Sequence, residues 1–265
     1  VALVIVLVAI VVGVIVAALI GTSKSTPKSS SPNAQASALA ASKNLRQSDV
    51  PSSWGQDSPT TSPLSGLLGT GAATKQTAQE KKIYDEVVSE FQQCMGESSA
   101  KDRIFGAAGV LPEAQRASVP YGTVIGSNLI EVGSVTQIYA STADVHADLV
   151  QMKSAKFSSC FAQTMGRFVV VGSDPTQVTA TPPVVVETPR YALGAYVAGA
   201  SATLQYPTTT GTVPMEIGTS IVISGRYEQT IYTFASPGVF PAALRQQIES
   251  VLAARLVGIS GATNV

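Results

Sequence analysis

Twenty consecutive residues at the start of this chain, Val1 to Ile20, are Val, Ile, Leu or Ala at every position except Gly13. As a helix at about 1.5 Å per residue they would span ~30 Å, the thickness of a bilayer's hydrocarbon core. A helix also satisfies its own backbone donors, as lipid requires. The run is longer than the ~7–15 apolar residues of a cleavable signal, and no cysteine near its end offers a lipid attachment point. The chain is therefore expected to begin with a transmembrane anchor, residues 1–21, preceded by a short basic cytoplasmic segment. Lys24 and Lys28 follow the span, which weakly favours the reverse orientation. The large domain and its cysteine pair favour N-inside, C-outside.

The apolar run also explains the composition. Mean hydropathy is +0.25 over 265 residues, and removing the first twenty brings the remainder to about zero. The 17 basic and 17 acidic residues all lie outside the run. Zero net charge argues against nucleic acid, whose phosphates need a basic face.

Residues 22–48 are rich in Ser, Thr, Ala and Pro and contain no aromatic residue. That composition reads as a flexible linker, with a reach of roughly 30 Å. A second loose stretch, 56–77, carries Gly69 and Gly71 but neither the preceding strand nor the Lys-Ser/Thr pair of a phosphate loop.

Beyond it the periodicity becomes helical. Thr77 and Glu80 form a capping-box pattern, Ile83, Val87, Val88, Phe91 and Met95 share one face, and Gly96 ends the helix. Asp85, Glu86 and Glu90 fall on its outer, solvated face. Residues 122–140 read as extended, broken at Gly126 and Gly133. Ser141 and Asp144 open a second helix with inner face Val145, Leu149, Met152, Lys156 and Cys160, stopped by Gly166. Short strand-like runs follow at 168–172, 184–187, 191–206, 213–224 and 227–235, with Ser224-Gly225 marking a tight hairpin. Pro241 opens a last helix lined by Leu244, Ile248, Val251, Leu252 and Leu256. This order predicts an α+β domain over 49–258, an antiparallel sheet covered by helices, with a tail at 259–265.

Cys94 and Cys160 are the two cysteines. They could be free buried thiols. In an oxidising compartment beyond an anchor, two cysteines at helix ends favour a disulfide. They are not a CxxC redox pair.

The signals for chemistry are few. His146 is the one histidine, and there is neither a Gly-x-Ser-x-Gly elbow nor HExxH. No cofactor, metal or catalytic residue is expected. Tyr191, Tyr196, Tyr206, Tyr227, Tyr232 and Phe234 fit a core, or else the walls of a ligand cleft.

Several short motifs resemble a group of actinobacterial exported domains. They are Asp49-Val50-Pro51-Ser52-Ser53-Trp54, Cys94-Met95-Gly96, Lys156-Phe157-Ser158-Ser159-Cys160 and Arg255. Such domains resemble LpqN-type mycobacterial lipoproteins of PsbP-like fold and, more distantly, PknH-type extracytoplasmic sensor domains. The chain departs from both, having neither a lipidated cysteine nor a kinase domain, and the resemblance implies no catalytic residues. The expected role is a single-pass, membrane-anchored extracytoplasmic domain that binds a membrane or cell-envelope protein. A sensor of a lipid or small molecule is the alternative, and an envelope hydrolase the remaining class.

Overall fold

The computed structural model describes residues 32–56, 89–91, 93–96, 112–126, 128–152, 154–157, 159–160, 179–180, 186–188, 195–208 and 211–258. The elements run α1 (Pro32–Lys43), a 3-10 turn (Gln47–Asp49), β1 (Gly55–Gln56), β2 (Ala114–Ala117), β3 (Tyr121–Ile125), β4 (Asn128–Ile138) and α2 (Thr142–Met152). β5 (Thr179–Ala180), β6 (Val186–Thr188), β7 (Tyr196–Thr208), β8 (Gly211–Ser224), β9 (Tyr227–Ser236) and α3 (Ala242–Val257) complete them. The strands form one nine-stranded antiparallel sheet in the order β1-β3-β4-β9-β8-β7-β5, with β2 also on β4 and β6 on β7. The α+β class with a helix-covered antiparallel sheet is as expected. The run 1–20 lies outside the described residues, and among those described no helix is long and apolar enough to cross a membrane.

Turn chemistry sets the register. Gly126 at φ 66° lets β3 fold back on β4, and Gly225 at φ 58° closes β8 on β9, both in the left-handed region that glycine adopts without a Cβ clash. Gly133 does not break the extended run: it pairs with Tyr232 in the middle of β4. Strand pairing compensates for its missing side chain.

Register then assigns the faces, because residues opposite one another point the same way. One face carries Ile130, Val132, Ser134 and Thr136 of β4, Ala235, Thr233, Ile231 and Gln229 of β9, and Glu216, Gly218, Ser220 and Val222 of β8. Here the main core forms, with Leu45, Val50 and Trp54 from the N-terminal segment and Ile248, Leu252, Ala253 and Leu256 from α3. The other face is buried too, through Val135, Met215, Ile217, Ile221 and Phe234. Burial on both faces explains why β8 shows no clean alternation of apolar and polar residues.

Three sequence expectations need correction. The stretch read as a flexible linker contains α1, whose Ala40 is fully buried against Ala114 and Ile138, and it is followed by buried Asn44 and Leu45. Composition underestimates alanine here: a small side chain buries little area of its own but lets a helix approach a sheet closely. The second helix does not continue to Cys160. It ends at Met152, and a new turn over 155–157 and 159–160 starts where Ser154 Oγ accepts from Phe157 N at 3.0 Å. Its expected start is confirmed: Asp144 N donates to Ser141 Oγ at 3.3 Å and Ser141 N to Asp144 Oδ2 at 3.2 Å, a reciprocal capping box. Finally, the folded unit includes α1, ahead of Asp49.

Candidate functional site

The Asp-x-Pro-x-x-Trp motif and the distant Arg255 meet in space. After α1 the chain turns through the 3-10 segment, where Asp49 Oδ2 accepts from the Arg46 amide at 2.7 Å. The other oxygen, Oδ1, accepts from Arg255 Nη2 at 2.5 Å, and Arg255 Nη1 donates to the Asn44 carbonyl at 2.6 Å. Side-chain exposures of 16% and 4% make this a largely buried ion pair. Lys43 Nζ donates to the Arg255 carbonyl at 2.5 Å and Arg46 Nη2 to the Ser42 carbonyl at 2.5 Å. These cations thus satisfy carbonyls at the C-terminal ends of α1 and α3, where helices leave acceptors without partners. Burial, followed by the charges of Arg255 and Arg46, lowers the Lys43 pKa.

Asn44 extends the network into the sheet. Its Oδ1 accepts from Thr136 Oγ1 at 2.7 Å and Ser134 Oγ at 3.1 Å, and its Nδ2 donates to the Arg116 carbonyl at 2.9 Å. Gln229 Nε2 donates to Thr136 Oγ1 at 3.1 Å and to the Lys43 carbonyl at 3.0 Å. Trp54 packs edge-on to Phe240 at 6.2 Å between centroids.

A second polar cluster lies under α3. Glu216 accepts from Arg245 and, through Oε2, from the Phe240 amide at 3.0 Å. Arg245 also contacts Thr233 Oγ1 at 3.3 Å and sits 5.6 Å above the Phe240 ring. Gly218 makes room for it: a Cβ there would stand 2.4 Å from Thr233 Oγ1 and 3.1 Å from Arg245 Nη2. Gly218→Ala is expected to cost about 1–3 kcal/mol by overpacking, read as a lower urea midpoint. Ser220 Oγ donates to Glu249 Oε1 at 2.6 Å, both residues being buried. A hydroxyl on a carboxylate is one element of nucleophilic catalysis, but here it lies between β8 and α3, where it ties helix to sheet.

On the opposite face Glu131 and Glu228 are buried on β4 and β9. Burial, and then the charge of Glu228, raises the Tyr232 pKa strongly, against a lowering hydrogen bond with Thr230. Tyr121 is raised by burial and then by Asp49. A raised folded pKa contributes stability that is complete below the unfolded value near 10 and is lost as pH rises through the folded value. Tyr232→Phe is therefore expected to unfold less steeply than wild type between neutral pH and about pH 11. Equal alkaline losses in urea titrations would contradict it.

Cys94 and Cys160 are bonded, with Cα atoms 5.6 Å apart. Phe91 meets Phe157 edge-on at 5.9 Å beside the bridge. His146 is exposed on α2. Tyr227 is half-buried and packs on the core, with Lys43 Nζ 5.9 Å from its ring centroid, and Phe234 is fully buried. Those two aromatics serve as packing rather than cleft walls. Gly69, Gly71, Asp85, Glu86 and Tyr191 lie outside the described residues. Among the described residues no group of three His, Cys, Asp or Glu is placed to hold a metal.

Sequence reading missed Asn44, Glu216, Arg245 and Glu249, because each partner lies tens of residues away along the chain. No family model, curated protein or solved structure matches the chain.

Proposed function

We propose that this chain is a single-pass membrane protein whose extracytoplasmic domain binds a cell-envelope protein and performs no catalysis. The observation that carries the reading is the Cys94–Cys160 disulfide in a domain that follows an unbroken apolar run of bilayer length. The bridge suits an oxidising compartment, and the run suits a membrane span. Binding is favoured over catalysis because the buried ion pair and carboxylates on the helix-covered face are engaged in fastening α1, α3 and the N-terminal segment to the sheet. The actinobacterial LpqN-type resemblance points the same way.

The test uses the full chain expressed in an actinobacterial host. Carbonate washing should leave it in the membrane pellet, and protease added outside intact protoplasts should digest the domain. Thiol labelling under denaturation without reductant should find no free thiol. Release by carbonate, or two labelled thiols, would overturn the reading.

A further inference from the structure

We propose that Lys43, Arg46 and Arg116, gathered around Asn44, form a cationic surface that rests on the anionic phosphates of the bilayer holding the apolar run. The inference rests on the anchored topology proposed above and adds how the domain sits against that membrane. Lys43 and Arg46 flank Asn44 at the end of α1, and Asn44 Nδ2 donates to the Arg116 carbonyl of β2 at 2.9 Å. Arg116 lies opposite Thr136, so its side chain shares the sheet face of Thr136. That is the face on which α1 packs against Ala114 and Ile138. Arg46 and Arg116 are exposed, and Lys43 is half-buried.

The charge of these three residues is uncompensated. Among the described residues none of them pairs with a carboxylate: Lys43 donates to the Arg255 carbonyl, Arg46 to the Ser42 carbonyl and Arg116 to the Gln115 carbonyl. All three acceptors are neutral. The acid beside them, Asp49, is engaged by Arg255 and by the Arg46 amide. The crowding of like charge also reaches Lys43, whose pKa is lowered by burial and then by Arg255 and Arg46. Sequence continues the pattern toward the apolar run. Residues 1–48 contain Lys24, Lys28, Lys43 and Arg46 and no Asp or Glu. A chain of zero net charge therefore concentrates positive charge next to its apolar run, the arrangement that draws a segment onto anionic lipid.

The length of chain selects the occupant. Residues 21–31 separate the apolar run from α1, and eleven residues span at most about 40 Å even when fully extended. The twelve residues of α1 add about 18 Å. The cations are thus tethered within reach of the bilayer, and a tether turns a weak contact into an intramolecular one. A lipid surface presents a plane of phosphates, so each exposed cation contributes separately, about five-fold apiece, without a shaped pocket.

The experiment reconstitutes the full chain, carrying p-benzoylphenylalanine at Ser48, into vesicles of phosphatidylcholine with or without phosphatidylglycerol. Ser48 is exposed two residues beyond Arg46. The control position is Ile125, whose partner Asn128 lies eight residues from Thr136 along β4, about 26 Å away. Irradiation should give a lipid adduct from position 48 with phosphatidylglycerol, about tenfold less without it, and little from position 125 in either. NaCl at about 1 M, where the Debye length is ~3 Å, should abolish the excess. Arg46→Gln with Arg116→Gln should reduce it about tenfold, with the urea midpoint from Trp54 fluorescence unchanged. The salt response of the unsubstituted chain tests the proposal whether or not that variant folds. An adduct indifferent to phosphatidylglycerol or salt, an adduct of twice the chain mass in place of lipid, or no adduct overturns the proposal. Carbonate washing of the same vesicles reads the anchor separately. A pelleted chain without the phosphatidylglycerol-dependent adduct refutes only the cationic contact. That adduct from a chain released by carbonate refutes only the anchored topology.

Discussion

Arg255→Ala is expected to destabilise the domain by about 3 kcal/mol, toward the lower end of the range for breaking a largely buried ion pair. The change removes the partner of Asp49 Oδ1 and the donor to the Asn44 carbonyl together. Asp49 is 5% exposed, so its carboxylate would lose its cationic partner where water hardly reaches. Arg255→Lys keeps the charge but not the fork that reaches both acceptors, and should lose roughly half as much. Asp49→Asn should also be destabilising, because Arg255 then faces a neutral amide. The chain's one tryptophan, Trp54, lies five residues beyond Asp49 and packs against Phe240. Its fluorescence therefore reports urea unfolding of this region directly. A loss below about 1 kcal/mol for Arg255→Ala would mean that solvent screens the pair as it does on a surface.

The second large effect is the loss of the disulfide. Cys94 and Cys160 are 66 residues apart, and by chain entropy a bridge of that span contributes up to about 4 kcal/mol. The Cys94→Ser/Cys160→Ser double variant should unfold at correspondingly lower urea, and wild type with reductant should match it. The Phe91–Phe157 contact remains in the variant, so the helical turns beside the bridge should lose protease resistance before the sheet does. Equal midpoints with and without the bridge would show that packing alone holds these turns. By contrast, the exposed Arg226–Glu113 pair, at 43% and 45% exposure, should contribute well under 1 kcal/mol.

Much of the fold could be read locally. Ser141 and Asp144 are three residues apart, and the box they form needs only that spacing. Ser224-Gly225 marks a turn because glycine enters the left-handed region at little cost. The apolar face of the last helix, Ile248, Leu252 and Leu256, is buried as its periodicity requires. The candidate site was much less legible. A carboxylate such as Glu216 in an apolar strand looks the same whether it faces solvent or an arginine. Its role depends on Arg245, 29 residues later. Asn44 stood in a stretch whose composition suggested no ordered structure, yet it is the hub that ties α1 to β2 and β4.

The sequence by itself determined the α+β class, the β8–β9 hairpin, the Ser141–Asp144 helix start and the zero net charge, because each depends on residues near one another or on a sum. It also raised, as one of two options, the cysteine pairing that the structure shows. Only the tertiary structure decided that the supposed linker is a docked helix, that both sheet faces are buried, and that the motif residues Asp49 and Trp54 serve as fastening. The physical reason is range. Turn and cap preferences act within a few residues, whereas burial and ion pairing are set by strand register, which joins positions as far apart as Asp49 and Arg255.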